Sequence, residues 1–269
     1  MIFELINQAY GLIKEKVLFL YERLQLVRQE KEKGRKLIIS IPDIITLGLF
    51  KQKENIATKK SLYEIIQPQC SYKTLVVNLN RFAPLASIIL SQLLKWNRKG
   101  SHLIKHTDAT DIPVCSNRKA GRHQTMKILS DWGKTGKGWF YGLKLHLTTD
   151  FNRKPLSVAF SSGNINDRSA FLKLNKDLDG VFVADAGYLS EELQRAFYQE
   201  RKRILFAKPR ANMKKIATAF QTWLYGTRMM IELNFRVLKQ FYGLVTSLPK
   251  SMNGYLAHYL YSLLAHVIA

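Results

Sequence analysis

The period of the apolar residues changes near residue 102, and this change limits the possible folds more than any other feature of the sequence. Residues 3–33 carry Phe3, Ile6, Ala9, Ile13, Val17, Leu20, Leu24 and Val27 at helical spacing, followed by the charged run RQEKEKGRK. The pattern predicts a long amphipathic helix stopped near Gly34. Ser40 is placed to cap a second helix, with Pro42 just inside its start and Asp43 in its first turn. Ser61 and Glu64 have the spacing of a capping box for a third. Residues 71–97 read as one or two more helices, broken at Pro84. The first hundred residues therefore read as all-helical.

Beyond residue 102 short apolar runs replace the helical period. His102 to Thr110, Trp139 to Thr149 and Pro155 to Ser161 read as strands, and Ser169 to Leu178 as a helix. Val181 to Ala184 reads as a buried strand ended by Asp185. Ser190 caps a helix running through Arg201, Ile204 to Ala207 is a fifth strand, and Phe220 to Leu244 is one long helix. Tyr255 to Ile268 is the last helix. Three strands in succession suggest an antiparallel meander, whereas strands alternating with helices imply parallel crossovers. The expected fold class is α/β, a mixed sheet flanked by helices, in the element order of the ribonuclease H-like fold. The expected division is a helical region over 1–100, DNA-binding or dimerising, and a ribonuclease H-like catalytic domain over 101–269.

Charge narrows the partner. Lys and Arg total 42 against 20 Asp and Glu, a net charge of +22. Such a surface repels itself unless it meets a polyanion, and nucleic acid fits best because neutralised phosphates release condensed counterions. Ribosome association and a basic membrane-facing surface are the alternatives. Cys70 and Cys115 form no CxxC pair and no zinc spacing, which suits free thiols in a reducing cytoplasm. The N-terminus is a poor signal peptide, and no apolar run of about 18 residues predicts a membrane span.

Three carboxylates stand out as candidate metal ligands. Phosphodiester chemistry on such a fold uses two divalent cations roughly 3.5–4 Å apart, held by hard oxygen ligands that suit Mg²⁺ or Mn²⁺. Asp108 lies mid-strand in HLIKHTDATDIPV, where an inward carboxylate is costly unless paired or metal-bound. Asp111 is its local competitor. Strand alternation puts it on the opposite face, nearer the strand end at Pro113. Asp185 ends the run VFVAD before Ala186-Gly187-Tyr188, at the C-terminal end of a strand where sites gather in such sheets. A turn aspartate is the plain alternative. Glu232 shares a helical stripe with Tyr225, Arg228 and Lys239 in an otherwise apolar helix. An ordinary amphipathic helix would show the same stripe.

The region from Asp108 to Lys239 resembles bacterial insertion-sequence transposases of the DDE class. Tyr225-x2-Arg228-x3-Glu232-x6-Lys239 matches their Y-R-E-K signature in spacing and residue type. HTDATDIPVC looks like the strand carrying the first Asp, and VFVADAGYLS like the strand carrying the second. GWFYGLKLHL and SSGNINDRSA resemble the second strand and the segment after the third. The resemblance implies a ribonuclease H-like fold and two ions of Mg²⁺, or Mn²⁺, held by Asp108, Asp185 and Glu232. It also implies metal-dependent DNA cleavage and strand transfer at the element's ends, with Tyr225, Arg228 and Lys239 against the DNA. The implied partner is double-stranded DNA, both element ends and target, with a homodimer in the DNA complex and no membrane. Ala109 and Ala186 depart from the family's more polar choices without removing a ligand. The short stretch between Asp185 and Glu232 leaves no room for the large β insertion of some relatives. The rival readings are a nuclease of the same fold without strand transfer, and a DNA-binding remnant with a dead site.

Two basic stretches are candidate DNA surfaces. Between the first two strands, Arg118, Lys119, Arg122, Lys127, Lys134 and Lys137 could track a phosphate backbone. Trp132 could stack on bases there, while Trp139 reads rather as a packed aromatic. Arg201, Lys202, Arg203, Lys208, Arg210, Lys214 and Lys215 flank the fifth strand. A solubilising face is the alternative. Residues 58–80 could form a helix-turn-helix unit contacting DNA through Tyr72, Lys73 and Arg81, or a plain bundle. His106 shares the face of Asp108 and reads as a packed or hydrogen-bonded histidine.

Overall fold

The computed structural model describes residues 2–29, 36–207 and 218–268, and its first helix, α1 (Ile2–Arg23), ends before its apolar repeat does. Gln25 adopts a left-handed conformation, φ 52°, and a 3-10 turn over Leu26–Gln29 follows. The turn rephases the chain, so Leu26 is buried and Val27 is exposed. Gly34, the expected stop, lies outside the described residues. In α2 (Ile41–Lys53) the Ser40 hydroxyl accepts the Asp43 N–H, and nearly every side chain is buried. A helix apolar all round must sit inside a bundle. The cap of helix α3 (Lys59–Ile66) lies three residues before the expected Ser61. Thr58 is that cap and accepts the Ser61 N–H at 2.9 Å. Helices α4 (Tyr72–Arg81) and α5 (Ala83–Arg98) break at Phe82. Pro84 falls in the first turn of α5, where a missing N–H costs no helical hydrogen bond.

Six strands form one mixed sheet: β1 (Ile104–Pro113), β2 (Asp131–Thr135), β3 (Gly138–Asp150), β4 (Pro155–Ser162), β5 (Val181–Ala184) and β6 (Ile204–Ala207). Their order is β2-β3-β1-β5-β6, with β4 also on β3. The antiparallel meander and the parallel crossovers are both present: β1, β3 and β4 pair antiparallel, and β1, β5 and β6 pair parallel. Residue His146 of β3 faces Ala109 on one edge and Ala159 on the other, so β1 and β4 flank β3. Strand β2 then continues the β4 edge along Gly138–Gly142. It escaped the sequence reading because DWGKT has no apolar alternation. Gly142 is needed where these ladders meet: a Cβ there would lie 2.1 Å from the Ile112 carbonyl oxygen.

Helices cover both faces of the sheet. Helices α6 (Asp167–Leu174) and α7 (Glu191–Arg201) pack one face through Phe171, Phe182, Tyr188 and Phe197. Helix α8 (Ala219–Thr227) packs on β5 and β6. The single helix expected over 220–244 is two: α9 (Met229–Gln240) begins after a break at Arg228. There the hydrogen bonds tighten to three-residue spacing, from Arg228 N–H to the Tyr225 carbonyl and from Ile231 N–H to the Arg228 carbonyl.

Helix α10 (Met252–Ile268) buries Tyr255, Tyr259, Leu263 and Leu264 and packs against α2 and α4. The Tyr261 hydroxyl donates to the Leu79 carbonyl at 3.0 Å. The chain thus forms two compact units, residues 1–93 with 237–269, and residues 94–236. The boundary expected at 100/101 assigned this C-terminal helix to the sheet, because sequence order hides its apolar match to α2. Among the described residues no single helix is long and apolar enough to cross a membrane. The bent pair α4 and α5 passes on length and composition only.

Candidate active site

Strand β1 carries Asp108 in the middle of the sheet. His106 pairs with Val183 in the parallel ladder, and two residues further that register brings Asp108 level with Asp185 on the same face. Asp111 pairs with Lys144 and belongs to the opposite face. The Asp108 carboxylate accepts the Ala109 N–H at 2.8 Å through Oδ1. Its Oδ2 accepts from Arg228 Nη1 at 3.1 Å. Burial pushes Asp108 up to about 7. The Ala109 N–H and the Arg228 guanidinium oppose that rise, and the negative charges of Asp185 and Asp167 add to it.

Glu232 comes to the same guanidinium from one helical turn further on. Arg228 Nη2 donates to Glu232 Oε1 at 2.7 Å, so one arginine bridges two of the three candidate carboxylates. The break between α8 and α9 falls at this residue, and the i,i+4 spacing sets the second contact. The Asp108 side chain is 18% exposed and that of Glu232 is 55% exposed. The pair with Asp108 therefore carries more of the energy, since water screens the other.

Asp185 stands directly after β5 in an extended conformation, φ −74° and ψ 166°. Its side chain makes no cap hydrogen bond to the 3-10 turn Ala186–Tyr188 that follows, so it does not do the work of a turn aspartate. Its charge acts on Asp108 and on the buried Tyr188. The Tyr188 hydroxyl has no hydrogen-bond partner among the described residues; burial holds its proton on, and the charges of Asp108, Asp167 and Asp185 add to that. Asp167 and Tyr188 were not singled out in the sequence. Asp167 opens α6 and pairs with Lys144 Nζ at 3.0 Å. Its signal was present as an acidic residue after the cap Asn166, which reads as ordinary helix-start chemistry.

His106 is buried, and its Nε2 lies 2.8 Å from the Thr227 hydroxyl, which ties β1 to the end of α8. Burial lowers it to about 4, so it stays neutral and packed. Tyr225 is half-buried on α8, and Lys239 is half-buried in the last turn of α9. Arg118, Lys119 and Arg122 lie exposed on a 3-10 turn, Asn117–Arg122, between β1 and β2. Lys208 and Arg210, with Lys214 and Lys215, lie outside the described residues.

Two readings of the basic stretches need correction. Trp139, expected to be packed, is 59% exposed with Lys134 Nζ 5.6 Å from its ring centroid. It is the second residue of β3, beside the turn from β2, where period-two alternation puts Phe140 inward and Trp139 outward. Arg203, expected on the DNA side, is buried. It donates to the carbonyls of Asn175 and Leu178, pairs with Glu200 and lies over the Phe197 ring. One exposed feature went unread: Phe220 and Trp223 stack at 5.9 Å, and Trp223 stacks on Phe151 at 6.3 Å.

Among the described residues no group of three or more His, Cys, Asp or Glu side chains is gathered closely enough to hold a metal ion. The donor chemistry still fits a hard divalent cation. Asp108, Asp185 and Glu232 offer carboxylate oxygens only, and the mutual repulsion at Asp108 is the kind a cation relieves. A family model described as the transposase DDE domain matches residues 99–250. Comparison with curated proteins finds no match. Comparison with solved structures finds none either.

Proposed function

Because the chain belongs to the transposase DDE domain family, we propose that it cuts and joins DNA at the ends of a bacterial insertion sequence, through Asp108, Asp185 and Glu232 on a ribonuclease H-like catalytic domain. The observation that carries this reading is the Arg228 guanidinium bridging Asp108 and Glu232, with the charge of Asp185 felt at Asp108. The sheet unit, residues 94–236, would hold the chemistry, and the helical unit, residues 1–93 with 237–269, would bind DNA or dimerise. The reaction would run in the cytoplasm on double-stranded DNA, with two copies holding the two ends.

Asp108, Asp185 and Glu232 would hold two Mg²⁺ or Mn²⁺ ions, which supply Lewis-acid stabilisation of the attacking and leaving oxygens when bound. The protein's own groups do the positioning. Arg228 sits where it can pass from the carboxylates to a phosphate oxygen, as a planar fork suited to bidentate contact. Tyr225 on α8 and Lys239 on α9 keep the spacing of the Y-R-E-K signature in sequence, and each would contact the DNA backbone. Arg118, Lys119 and Arg122 would track the flanking duplex, and Lys208 and Arg210 would extend that surface. Water first cleaves the phosphodiester at the element's end. The freed 3′-hydroxyl then attacks a target phosphodiester in line, and the displaced 3′-oxygen leaves with its proton.

Purified protein, Mg²⁺ or Mn²⁺ and DNA bearing the element's terminal repeats test the reading. Cleaved ends and joined products are expected from the wild type and neither from Asp185→Ala. Strand transfer that survives Asp185→Ala would sink it. Cleavage without joining in the wild type would leave a nuclease.

A further inference from the structure

Aromatic rings run in one continuous row beside the candidate carboxylates. Phe220 and Trp223 on α8 stack with ring centroids 5.9 Å apart and planes 25° apart. Trp223 stacks in turn on Phe151, in the turn after β3, at 6.3 Å and 29°. Phe151 packs on His102 at 5.0 Å and on His106 at 6.2 Å, each tilted by 34°. The row ends at the surface, where Phe220 is 59% and Trp223 51% exposed. Single exposed apolar residues are ordinary on a protein surface, whereas an exposed row of near-parallel rings is a patch. Core rings of the same unit meet edge to face instead, as Phe171, Phe182 and Phe197 do.

The row is tied to the site from both sides. Trp223 lies one helical turn before Thr227, whose hydroxyl meets His106 Nε2 at 2.8 Å. Arg228 follows directly and reaches Asp108. His106 precedes Asp108 by two residues on the same face of β1, about 7 Å along the strand. Trp223 precedes Arg228 by five residues, also about 7 Å along the helix. Each span is roughly the length of two nucleotides at about 3.4 Å per strand step. In the turn that carries Phe151, the Asp150 carboxylate accepts the Lys154 N–H at 2.9 Å, and Arg153 is left-handed at φ 67°. Arg153 and Lys154 thus place cations beside one end of the row and Arg228 places another beside α8. These surroundings suit an anionic ligand with flat faces.

We propose that Phe220 and Trp223 form a stacking platform for an unpaired base of the DNA strand whose phosphate lies at Arg228. This rests on the DNA-cutting reading above and adds which part of the DNA is held beside the cleavage point. An aromatic face stacks on any base, because every base has a π-face, but a paired base hides both faces within its duplex. The platform therefore selects unpaired nucleotides beside a cut end over continuous duplex. Charge favours this occupant over a second free copy of the chain, whose net charge of +22 repels its like.

Binding of the full-length protein is measured by fluorescence anisotropy without divalent metal, so that no strand is cut. The probes are a blunt duplex and the same duplex with a short unpaired extension at one end, 3′ or 5′. One unpaired position carries 2-aminopurine, whose fluorescence falls when it stacks on an aromatic ring. The wild type should prefer an extended duplex and quench the 2-aminopurine. Trp223→Ala and Phe220→Leu should each bind that duplex about 5- to 100-fold more weakly, lose the quenching and bind the blunt duplex as the wild type does. Their salt slopes should not change, because stacking releases no counterions. Trp223→Phe should keep most of the preference. Both exposed positions should tolerate substitution, and should Trp223→Ala not fold, Phe220→Leu decides alone. Equal affinities and equal quenching in wild type and variants overturn the platform while DNA binding stands. A dimer that Phe220→Leu dissociates, with the preference for unpaired DNA intact, gives the row to a second copy and also overturns it. A wild type that binds neither DNA fails the DNA-cutting reading itself, and the platform falls with it.

Discussion

Arg228 Nη1 lies 3.1 Å from Asp108 Oδ2, and the other arm of the same guanidinium reaches Glu232 at 2.7 Å. A residue from the break between two helices thus joins a mid-strand carboxylate to one a helical turn away. The relationship predicts an asymmetric response to substitution. Arg228→Ala leaves the half-buried Asp108 with one N–H and two neighbouring negative charges, which costs about 1–3 kcal/mol of stability. Strand transfer should fall by about 10²–10³-fold, the scale of losing one preorganised charge. Arg228→Lys should recover stability better than activity, because an ammonium cannot bridge both carboxylates in a plane. Thermal melts and single-turnover rates on the three proteins check this; equal rates would refute it.

Asp108 and Asp111 can be separated in the same assay. Asp108 shares its face with Val183 and Asp185 through the β1–β5 register, while Asp111 pairs with Lys144 on the other face. Asp108→Asn should abolish cleavage. Asp111→Asn should stay within about threefold of wild type, as a substitution away from the reacting groups. The reverse order would move the first ligand to Asp111.

What the sequence made legible follows from which interactions are local. The alternation of β1 set Asp108 and Asp111 on opposite faces, and the VFVAD run set Asp185 at a strand end; both depend on period two alone. The Arg228 and Glu232 pair depends on period 3.6, while the break at Arg228 that puts Tyr225 on a separate helix was not announced by that period. Three features depend on contacts between distant segments and could not be read in that way. The ion pair from Arg228 to Asp108 spans 120 positions. Helix α10 packs on α2 across most of the chain, and the burial of Arg203 needs the carbonyls of Asn175 and Leu178. Strand β2 was missed for a different reason: its partner β3 supplies the pairing that DWGKT does not announce.

His258 gives the helical unit a pH dependence. Its Nε2 lies 2.6 Å from the Gly243 carbonyl oxygen, and its Nδ1 lies 3.1 Å from Gln52 Nε2. The pattern assigns a proton to Nε2 and makes Nδ1 an acceptor, so a second proton would face a donor. Burial lowers His258 to about 3, and the charges of Lys51 and Lys59 add to that. The unfolded chain binds the proton near 6.5, so between these values it holds more protons than the folded chain. The contribution is therefore complete above about pH 7 and is lost as pH falls, by up to about 1.4 kcal/mol per pH unit. Urea unfolding from pH 7 to pH 4 should show this slope in the wild type. His258→Asn should lack it, and parallel pH profiles would contradict the assignment.

Trp139 should contribute to DNA binding by a route that salt does not reveal. It is 59% exposed at the start of β3, with Lys134 over its ring and Arg118, Lys119 and Arg122 exposed on the neighbouring 3-10 turn. The cations attract the backbone by releasing counterions, whereas an indole face stacks on a base without releasing any. Trp139→Ala should weaken binding to a duplex with unpaired ends by about 1–3 kcal/mol and leave the salt slope unchanged. Lys119→Gln should do the opposite, lowering the slope by about one with a small loss at high salt. Because Trp139 is largely exposed, its removal should leave the melting temperature within about 1 °C. A stable Trp139→Ala protein with wild-type affinity would return this tryptophan to a plain surface role, and a fall in its salt slope would show that it acts by placing Lys134.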